Sequence, residues 1–203
     1  MTQPAPLRLG LLGGTFDPPH VGHLAMATTV CSALSLDEVK FVVANDPWQK
    51  SGDRTVTPAA IRLEMTRALV EGHKEFSVDD REIRRSGPTY TVDTLRELHA
   101  ENLNCEIFLI VGADTASRIH TWHQHAEVLA LSTLVVVNRP DSALQLDPSV
   151  SADRVRMVSM PAVDVSSTQI RALVATGSAI RDLTNDGVSA VINTHGLYRG
   201  VTA

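Results

Sequence analysis

The sequence predicts an α/β protein built on a doubly wound parallel sheet. Short aliphatic runs typical of buried strands recur along the chain, and amphipathic stretches of helical length separate them. Strands and helices that alternate in this way form right-handed βαβ units in one parallel sheet. The predicted strands cover 9–12, 38–44, 76–78, 106–111, 134–137 and 155–160, and the predicted helices cover 24–34, 58–71, 92–100, 188–195 and a segment that starts at 166.

Composition limits the kind of protein this can be. The 203 residues suffice for one domain with a sizeable core, and we expect a single domain over 1–203 with a disordered start at 1–6. No apolar run approaches the length of a membrane span, so we expect no membrane partner. A formal net charge of −5 disfavours nonspecific nucleic-acid binding. Cys31 and Cys105 form no CxxC motif and fit a reduced, cytoplasmic protein, while a homo-oligomer stays open.

The stretch from Gly13 to His23 is the centre of the functional interpretation. It reads Gly-Gly-Thr-Phe-Asp-Pro-Pro-His-Val-Gly-His and joins the first predicted strand to the first predicted helix. The glycine pair lets the backbone approach a ligand, and the helix start offers unpaired N–H groups to an anion. His20 and His23 lie three residues apart, so their side chains share one face. The stretch therefore predicts a phosphate-binding turn with two adjacent imidazoles.

Simpler explanations exist for each part of this stretch. A glycine pair after a strand is often only a tight turn, and a histidine near a helix start more often makes a structural hydrogen bond than catalyses a reaction. Zinc would need a third ligand beside His20 and His23, and the sequence places none nearby. The joint pattern favours phosphate.

Two motifs carry a resemblance to a known family. The segment Gly14–Pro18 followed by His20-x-Gly22-His23 resembles the signature of the HxGH nucleotidyltransferases. The segment Val165–Arg171, Val-Ser-Ser-Thr-Gln-Ile-Arg, resembles the Ile-Ser-Ser-Thr-x-Ile-Arg box of the same superfamily. Over residues 9–198 the chain is most similar to the bacterial nicotinate mononucleotide adenylyltransferases. The resemblance implies a Rossmann-like nucleotidyltransferase fold and adenylyl transfer from ATP to nicotinate mononucleotide, giving nicotinate adenine dinucleotide and pyrophosphate.

The resemblance also implies roles for individual residues. The basic residues expected to act in catalysis are His20, His23, Lys50 and Arg171. The residues expected to bind ATP are Gly13, Gly14, Thr15, Phe16, Gly112, Asp114, Ser166, Ser167 and Thr168. The residues expected to bind the acceptor are Thr89, Tyr90 and Trp122, to which Arg139 is added because it ends a predicted strand at the same crevice. We expect no metal site on the protein and Mg²⁺ delivered with ATP.

One part of the family pattern is altered in this chain. The family loop corresponding to 45–57 carries Pro-Pro-His-Lys, but Trp48 and Gln49 replace the second Pro and the His. Lys50 matches the lysine of the family segment, but this chain has no histidine at the position of the family's loop histidine. A solvated surface lysine is an equally good interpretation of Lys50.

Other assignments also have structural alternatives. Thr89 and Tyr90 could have a purely structural role, capping a helix and packing against it. Asp114 could be an N-cap, and Ser166 with Gln169 fits a capping box. The charged run 79–85 reads as a solvated edge or connection. We expect the helical part at 165–203 to close the active site.

Two other functions stay open. The first is a sister transferase that uses nicotinamide mononucleotide, phosphopantetheine or another acceptor. The second is a noncatalytic nucleotide sensor with the same fold. A dehydrogenase is disfavoured because Gly10 to Gly14 does not give Gly-x-Gly-x-x-Gly.

Overall fold

The structure, a computed structural model, describes residues 5–46, 56–138 and 150–199. Within these residues six strands form one parallel sheet in the order β3-β2-β1-β4-β5-β6. The strands are β1 (Leu7–Gly14), β2 (Glu38–Val43), β3 (Phe76–Asp79), β4 (Cys105–Gly112), β5 (Thr133–Asn138) and β6 (Val155–Ser159). The helices are α1 (Val21–Leu34), α2 (Ala59–Val70), α3 (Arg81–Arg85), α4 (Thr91–Glu101), α5 (Ala113–Ala116), α6 (His125–Leu131), α7 (Ser167–Ala175) and α8 (Asp186–Thr194).

The strand order confirms the predicted fold class. Strands β2 and β3 are added on one side of β1 and strands β4, β5 and β6 on the other, which is the doubly wound arrangement. The direction of winding changes between β1 and β4, whose register pairs Leu9 with Ile107 and Leu11 with Leu109. Ligands of such sheets bind beyond the carboxyl ends of the strands at this change of direction.

The chain divides into two compact units. One contains the chain up to Gly13 with Met26–Lys40 and Tyr90–Ala162, and the other contains Gly14–Ala25, Phe41–Thr89 and the chain from Val163 onward. The prediction of one domain over 1–203 stays a prediction, and residues 1–4 of the expected disordered start lie outside the described residues.

Each unit has its own buried aliphatic core. In the unit with β4 and β5 the core includes Leu9, Leu95, Leu98, Leu109, Ile110 and Leu134, each at most 2% exposed. In the other unit α2 packs against α8 and β3, with Phe41, Met65, Leu69 and Val188 fully buried. Strands buried on both faces explain why the strands read as continuous aliphatic runs rather than as alternating patterns.

The charged run 79–85 departs from the prediction. It is not a solvated connection: it contains the end of β3 and α3, and Asp79, Arg81 and Glu82 are buried. Arg81 Nη2 lies 2.7 Å from Asp79 Oδ2, and the Arg81 N–H groups donate to that carboxylate. Charges that neutralise each other can be buried, and sequence pattern alone does not reveal the pairing.

Helix boundaries differ from the predictions by a few residues. Helix α1 begins at Val21, three residues before the predicted start, so His20 and His23 belong to the helix entrance itself. The N-cap of α2 is Pro58, so the helix itself begins at Ala59, one residue after the predicted start. Gly72, at φ +86°, follows the end of α2, where a left-handed conformation favours glycine. In the part of the chain that the structure describes, every helix is too short or too polar to cross a bilayer.

Candidate active site

The turn between β1 and α1 is held by side chains from distant parts of its own unit. Residues 15–20 of this turn are buried. Four of its backbone carbonyls accept side-chain hydrogen bonds: Thr15 from Arg62 (2.7 Å), Asp17 from Arg171 (2.8 Å), Pro18 from Ser167 (2.8 Å) and Pro19 from Thr184 (3.2 Å). Because these donors lie far along the chain, tertiary packing and not local sequence fixes the conformation of the turn.

The hydrogen bond between His20 and His23 fixes the proton position on one ring. The backbone N–H of His20 donates to Nδ1 of His23 at 3.1 Å, and the backbone N–H of His23 donates to the His20 carbonyl at 2.9 Å. His23 thus stands in the capping-box position that Glu or Gln usually occupies. Because Nδ1 is the acceptor, the neutral ring carries its proton on Nε2, which makes that nitrogen a donor.

The two imidazoles lie against each other at the start of α1. Their ring centroids are 3.8 Å apart with an angle of 32° between the planes, and the Phe16 ring meets His23 edge-on at 5.0 Å. A Cβ on Gly22 would lie 3.0 Å from His20 Nδ1 and 3.0 Å from Val165 Cγ1. The glycine of the His-x-Gly-His motif therefore has a steric reason, since a larger residue at position 22 would displace His20.

His20 is held in its neutral form by burial. The side chain is buried, and burial lowers its pKa from 6.5 to about 4. Its Nδ1 has no hydrogen-bond partner among the described residues.

The pKa of His20 predicts that stability falls in mild acid. Above pH 6.5 the ring is neutral in both the folded and unfolded states, so its contribution is fully present. As the pH falls from 6.5 towards 4 the unfolded chain takes up a proton that the folded protein does not, and the contribution is lost. The free energy of unfolding should fall by on the order of 3 kcal/mol through this group. Urea unfolding at several pH values measures it.

The variant His20→Gln is the control for this pH dependence. It removes the titrating ring, so its free energy of unfolding should vary less between pH 7 and pH 4.5 than that of the unmodified protein. Equal pH dependence in both proteins would show that other groups account for the acid sensitivity.

The two glycines of the pair have different surroundings. A Cβ on Gly14 would meet the Phe16 ring at 2.8 Å, so Gly14 makes room for Phe16. A Cβ on Gly13 would have nothing within 4 Å, and Gly13 is exposed. Phe16 itself is 2% exposed and packs against Phe41, so only its backbone is left for the expected contact with ATP.

The start of α7 contains the Ser-Ser-Thr-x-x-Arg residues. Ser166 is the N-cap and its Oγ accepts from the Gln169 N–H at 3.1 Å, so the capping interpretation holds for Ser166. Arg171 Nη2 donates to Thr168 Oγ1 at 3.0 Å while Nη1 holds the Asp17 carbonyl. This second motif is thus joined to the first within one unit, and its contact with phosphate stays a proposal.

Asp17 anchors the turn to the last described residues. Its Oδ1 accepts from the Tyr198 hydroxyl at 2.6 Å and its Oδ2 from the Thr57 N–H at 3.4 Å. Burial and the bond to Asp17 raise the pKa of Tyr198 well above its usual range, so the phenol stays a donor. Asp17 is 2% exposed, and its two carboxylate oxygens tie the turn to Tyr198 and Thr57.

Sequence reasoning missed three residues that hold the turn: Arg62, Thr184 and Tyr198. For Arg62 a signal was available, since it lies on the apolar face of α2 one turn before Met65 and Thr66, and a charge in that position is unusual. The sequence carried no comparable signal for Thr184 or Tyr198.

The remaining predicted residues are divided between the two units. In the unit containing β4, Gly112 ends that strand with open space where a Cβ would stand, and the exposed Asp114 lies within α5 and not at its N-cap. The Tyr90 ring contacts the exposed His123 ring at 4.3 Å, and the side chain of Trp122 is half-buried.

Thr89 belongs to the unit that contains the turn after β1. Thr89 Oγ1 accepts from the Asp46 N–H at 3.4 Å, and α4 has its N-cap at Tyr90 without a side-chain bond, so Thr89 is not a helix cap. Lys50, with Trp48 and Gln49, and Arg139 lie outside the described residues. Over the described ranges no group of three or more His, Cys, Asp or Glu side chains could hold a metal ion.

A doubly wound sheet with a histidine pair at the first strand-to-helix turn defines the class of the nucleotidyltransferases. A family model described as cytidylyltransferase-like matches residues 11–173. A protein of Corynebacterium kroppenstedtii named "probable nicotinate-nucleotide adenylyltransferase" is 45% identical over 94% of this chain and 90% of its own length. One of Streptomyces coelicolor with the same name is 44% identical over 93% of this chain and its full length. The chain belongs to this adenylyltransferase family within the cytidylyltransferase-like proteins, and is an enzyme.

Solved structures agree in fold. The nicotinic acid mononucleotide adenylyltransferase of Plasmodium falciparum complexed with NaAD gives a TM-score of 0.75 at 17% identity, covering 94% of this chain and 97% of the other. The same enzyme complexed with APC gives 0.74 at 16% identity, covering 94% and 96%. At such identities the likeness shows the fold alone, and it confirms the predicted nucleotidyltransferase fold.

Proposed function

We propose that this protein transfers the adenylyl group of ATP to nicotinate mononucleotide, forming nicotinate adenine dinucleotide and pyrophosphate for NAD biosynthesis. The observation that carries the proposal is the buried turn at the start of α1, where the His20–His23 hydrogen bond leaves the Nε2–H of His23 as a donor. The names of the relatives support the acceptor, and the P. falciparum complex with NaAD supports the product.

The proposed step is an in-line displacement at the α-phosphorus of ATP. A phosphate oxygen of the mononucleotide attacks, a new P–O bond forms, and the bond from the α-phosphorus to the bridging oxygen breaks with its electrons leaving on pyrophosphate. The attacking phosphate is already anionic, so the step needs no general base. Catalysis then rests on positioning and on stabilising negative charge as it develops.

The residues of the turn suit this electrostatic task. The Nε2–H of His23 is a donor for an ATP phosphate, and the neutral ring of His20 lies against it. Gly13, Gly14, Thr15 and the backbone of Phe16 would contribute N–H groups at the end of β1 and in the turn that follows it, and the dipole of α1 beyond the turn also favours anions. Neutral imidazoles act here as hydrogen-bond donors, so we do not assign His20 a proton-transfer role.

Other residues are proposed for ATP on the same grounds. Arg171, with the helix start at Ser166, Ser167 and Thr168, would bind the departing pyrophosphate, and Lys50 would neutralise it. Gly112 and Asp114 would contact the adenosine. Mg²⁺ would arrive on the ATP oxygens, since this ion keeps water ligands and borrows substrate phosphates readily.

The acceptor assignment is proposed for Thr89, Tyr90, Trp122 and Arg139. Aromatic faces such as those of Tyr90 and Trp122 stack well on a flat pyridine ring. Stacking does not distinguish a carboxylate from an amide on the ring, so donor N–H and hydroxyl groups must make the choice. The cytoplasmic location expected from the cysteine pattern stays a prediction.

The experiment that tests this function measures pyrophosphate release with ATP and a panel of acceptors. We expect turnover with nicotinate mononucleotide at a higher kcat/KM than with nicotinamide mononucleotide, and none with phosphopantetheine. Trp122→Ala should raise the KM for the mononucleotide far more than the KM for ATP.

Each other outcome of the panel has a definite meaning. Equal efficiency with both mononucleotides would contradict the preference for the carboxylate. Turnover with phosphopantetheine alone would contradict the acceptor assignment, and nucleotide binding without turnover would indicate a sensor.

A further inference from the structure

Arg62 is the largest fully buried side chain of the described residues, yet it carries a full positive charge. It lies on α2 and is 1% exposed. Its guanidinium donates three hydrogen bonds to backbone carbonyls: from Nη1 to Thr15 at 2.7 Å, from Nε to Thr57 at 2.7 Å and from Nη2 to Asn45 at 2.9 Å. One side chain therefore binds three separate segments of the same unit.

The three carbonyls belong to segments without regular secondary structure. Thr15 lies in the turn after β1, Asn45 lies two residues beyond β2, and Thr57 precedes the N-cap of α2. The planar guanidinium presents its N–H groups in a fixed fork, so the three segments are held at set distances from one another. Thr57 is also bound to Asp17, which strengthens the link between α2 and the turn.

Burial of this charge has a cost that an apolar side chain would avoid. Removing a guanidinium from water is unfavourable. The three carbonyls that it binds stay in place when the side chain is replaced, however, and a buried carbonyl without its donor is also costly. An apolar residue of similar length could fill the same space beside Met65 and Leu69, but it could not bind the Thr15 carbonyl. Arg62 therefore holds the three segments together, and its hydrogen bond to the Thr15 carbonyl links this packing to the turn.

We propose that Arg62 is a positioning residue for adenylyl transfer. It acts through the turn: by holding the Thr15 carbonyl it fixes the backbone from Gly14 to Asp17 in the conformation that receives the ATP phosphates. This inference rests on the proposed function, and it adds a residue that acts through others and does not touch the substrate.

The test compares two substitutions at Arg62 with a matched control. Arg62→Met fills the space without donors, and Arg62→Lys keeps the charge without the fork. Arg81→Lys is the control, because among the described residues of this unit Arg81 is a second buried arginine, bound to Asp79. Thermal unfolding, steady-state kinetics with ATP, and equilibrium binding of a nonhydrolysable ATP analogue are measured for each, at a temperature at which all are folded.

We expect both Arg62 variants to lose about tenfold to a hundredfold in kcat/KM for ATP, the scale of losing a hydrogen bond to a charged group. Binding of the ATP analogue should weaken, and KM for the mononucleotide should change little. Arg62→Met leaves three carbonyls without this donor, so it should unfold at a lower temperature than the unmodified protein, and its kinetics are compared where it is fully folded. Arg81→Lys should keep its kinetics within about twofold whatever its stability, since Arg81 binds Asp79 at the end of β3.

Three outcomes would overturn the proposal. They are near-normal kinetics in both folded Arg62 variants, an equal kinetic loss in Arg81→Lys, and a loss that follows the unfolded fraction as temperature rises. If Arg62→Met does not fold, Arg62→Lys and the binding measurement decide the question. Failure of the proposed function is separate: the unmodified protein would then show no turnover, while analogue binding would still test Arg62.

Discussion

Replacement of His23 by alanine should lower the rate of adenylyl transfer by about two to three powers of ten while the protein stays folded, the scale of losing one preorganised donor at a site of developing charge. The Nε2–H of His23 is set by its neighbour, because Nδ1 is already occupied by the His20 N–H at 3.1 Å. Alanine removes this donor and the cap of α1 together. The measurement is single-turnover formation of the dinucleotide, with circular dichroism to confirm folding.

The variant His23→Gln separates the two losses. Glutamine is a normal residue for the third position of a capping box, so its side chain can still bind the His20 N–H. We therefore expect an unfolding temperature closer to normal in His23→Gln than in His23→Ala, with both variants slow. Wild-type kcat in folded His23→Ala would contradict the role of His23, and full activity of His23→Gln would show that capping was its only task.

Arg171→Lys should reduce kcat/KM for ATP by about tenfold to a hundredfold with little change in unfolding temperature. The arginine holds the Asp17 carbonyl through one terminal nitrogen and Thr168 Oγ1 through the other, and a lysine ammonium cannot span both. The loss corresponds to one or two hydrogen bonds to a charged group. Steady-state kinetics with varied ATP measure it.

The control for Arg171 is Arg181→Lys, which changes an exposed arginine of the same unit. Arg181→Lys should leave the kinetics unaltered. If Arg171→Lys behaves in the same way, Arg171 belongs to the helix surface and the Ser166 segment is only a cap.

The sequence was informative where chemistry and periodicity are local. Buried parallel strands read as aliphatic runs, so β1, β4 and β5 were found within two residues of their ends. The capping role of Ser166 and the proximity of His20 to His23 follow from helical spacing over three residues. These features need no knowledge of the rest of the chain.

Interactions between distant segments could not be predicted in the same way. The partners of Thr15, Asp17 and Pro19 come from α2, α7 and the segment before α8, and nothing in the sequence pairs them. The buried pair of Asp79 and Arg81 reads as surface charge until both partners are seen together. The tautomer of His23 likewise depends on a backbone N–H, which sequence patterns do not report.

The turn after β1 is also synthesised long before most of the residues that hold it. Its residues leave the ribosome early, but four of the groups that hold it (Ser167, Arg171, Thr184 and Tyr198) lie 149 to 181 positions later along the chain. Closing loops of this length costs entropy before any contact is gained, and such contacts form late in folding. A nascent chain in which the two histidines have already been synthesised therefore lacks the side chains that hold the turn until α7, α8 and the residues after them have been synthesised.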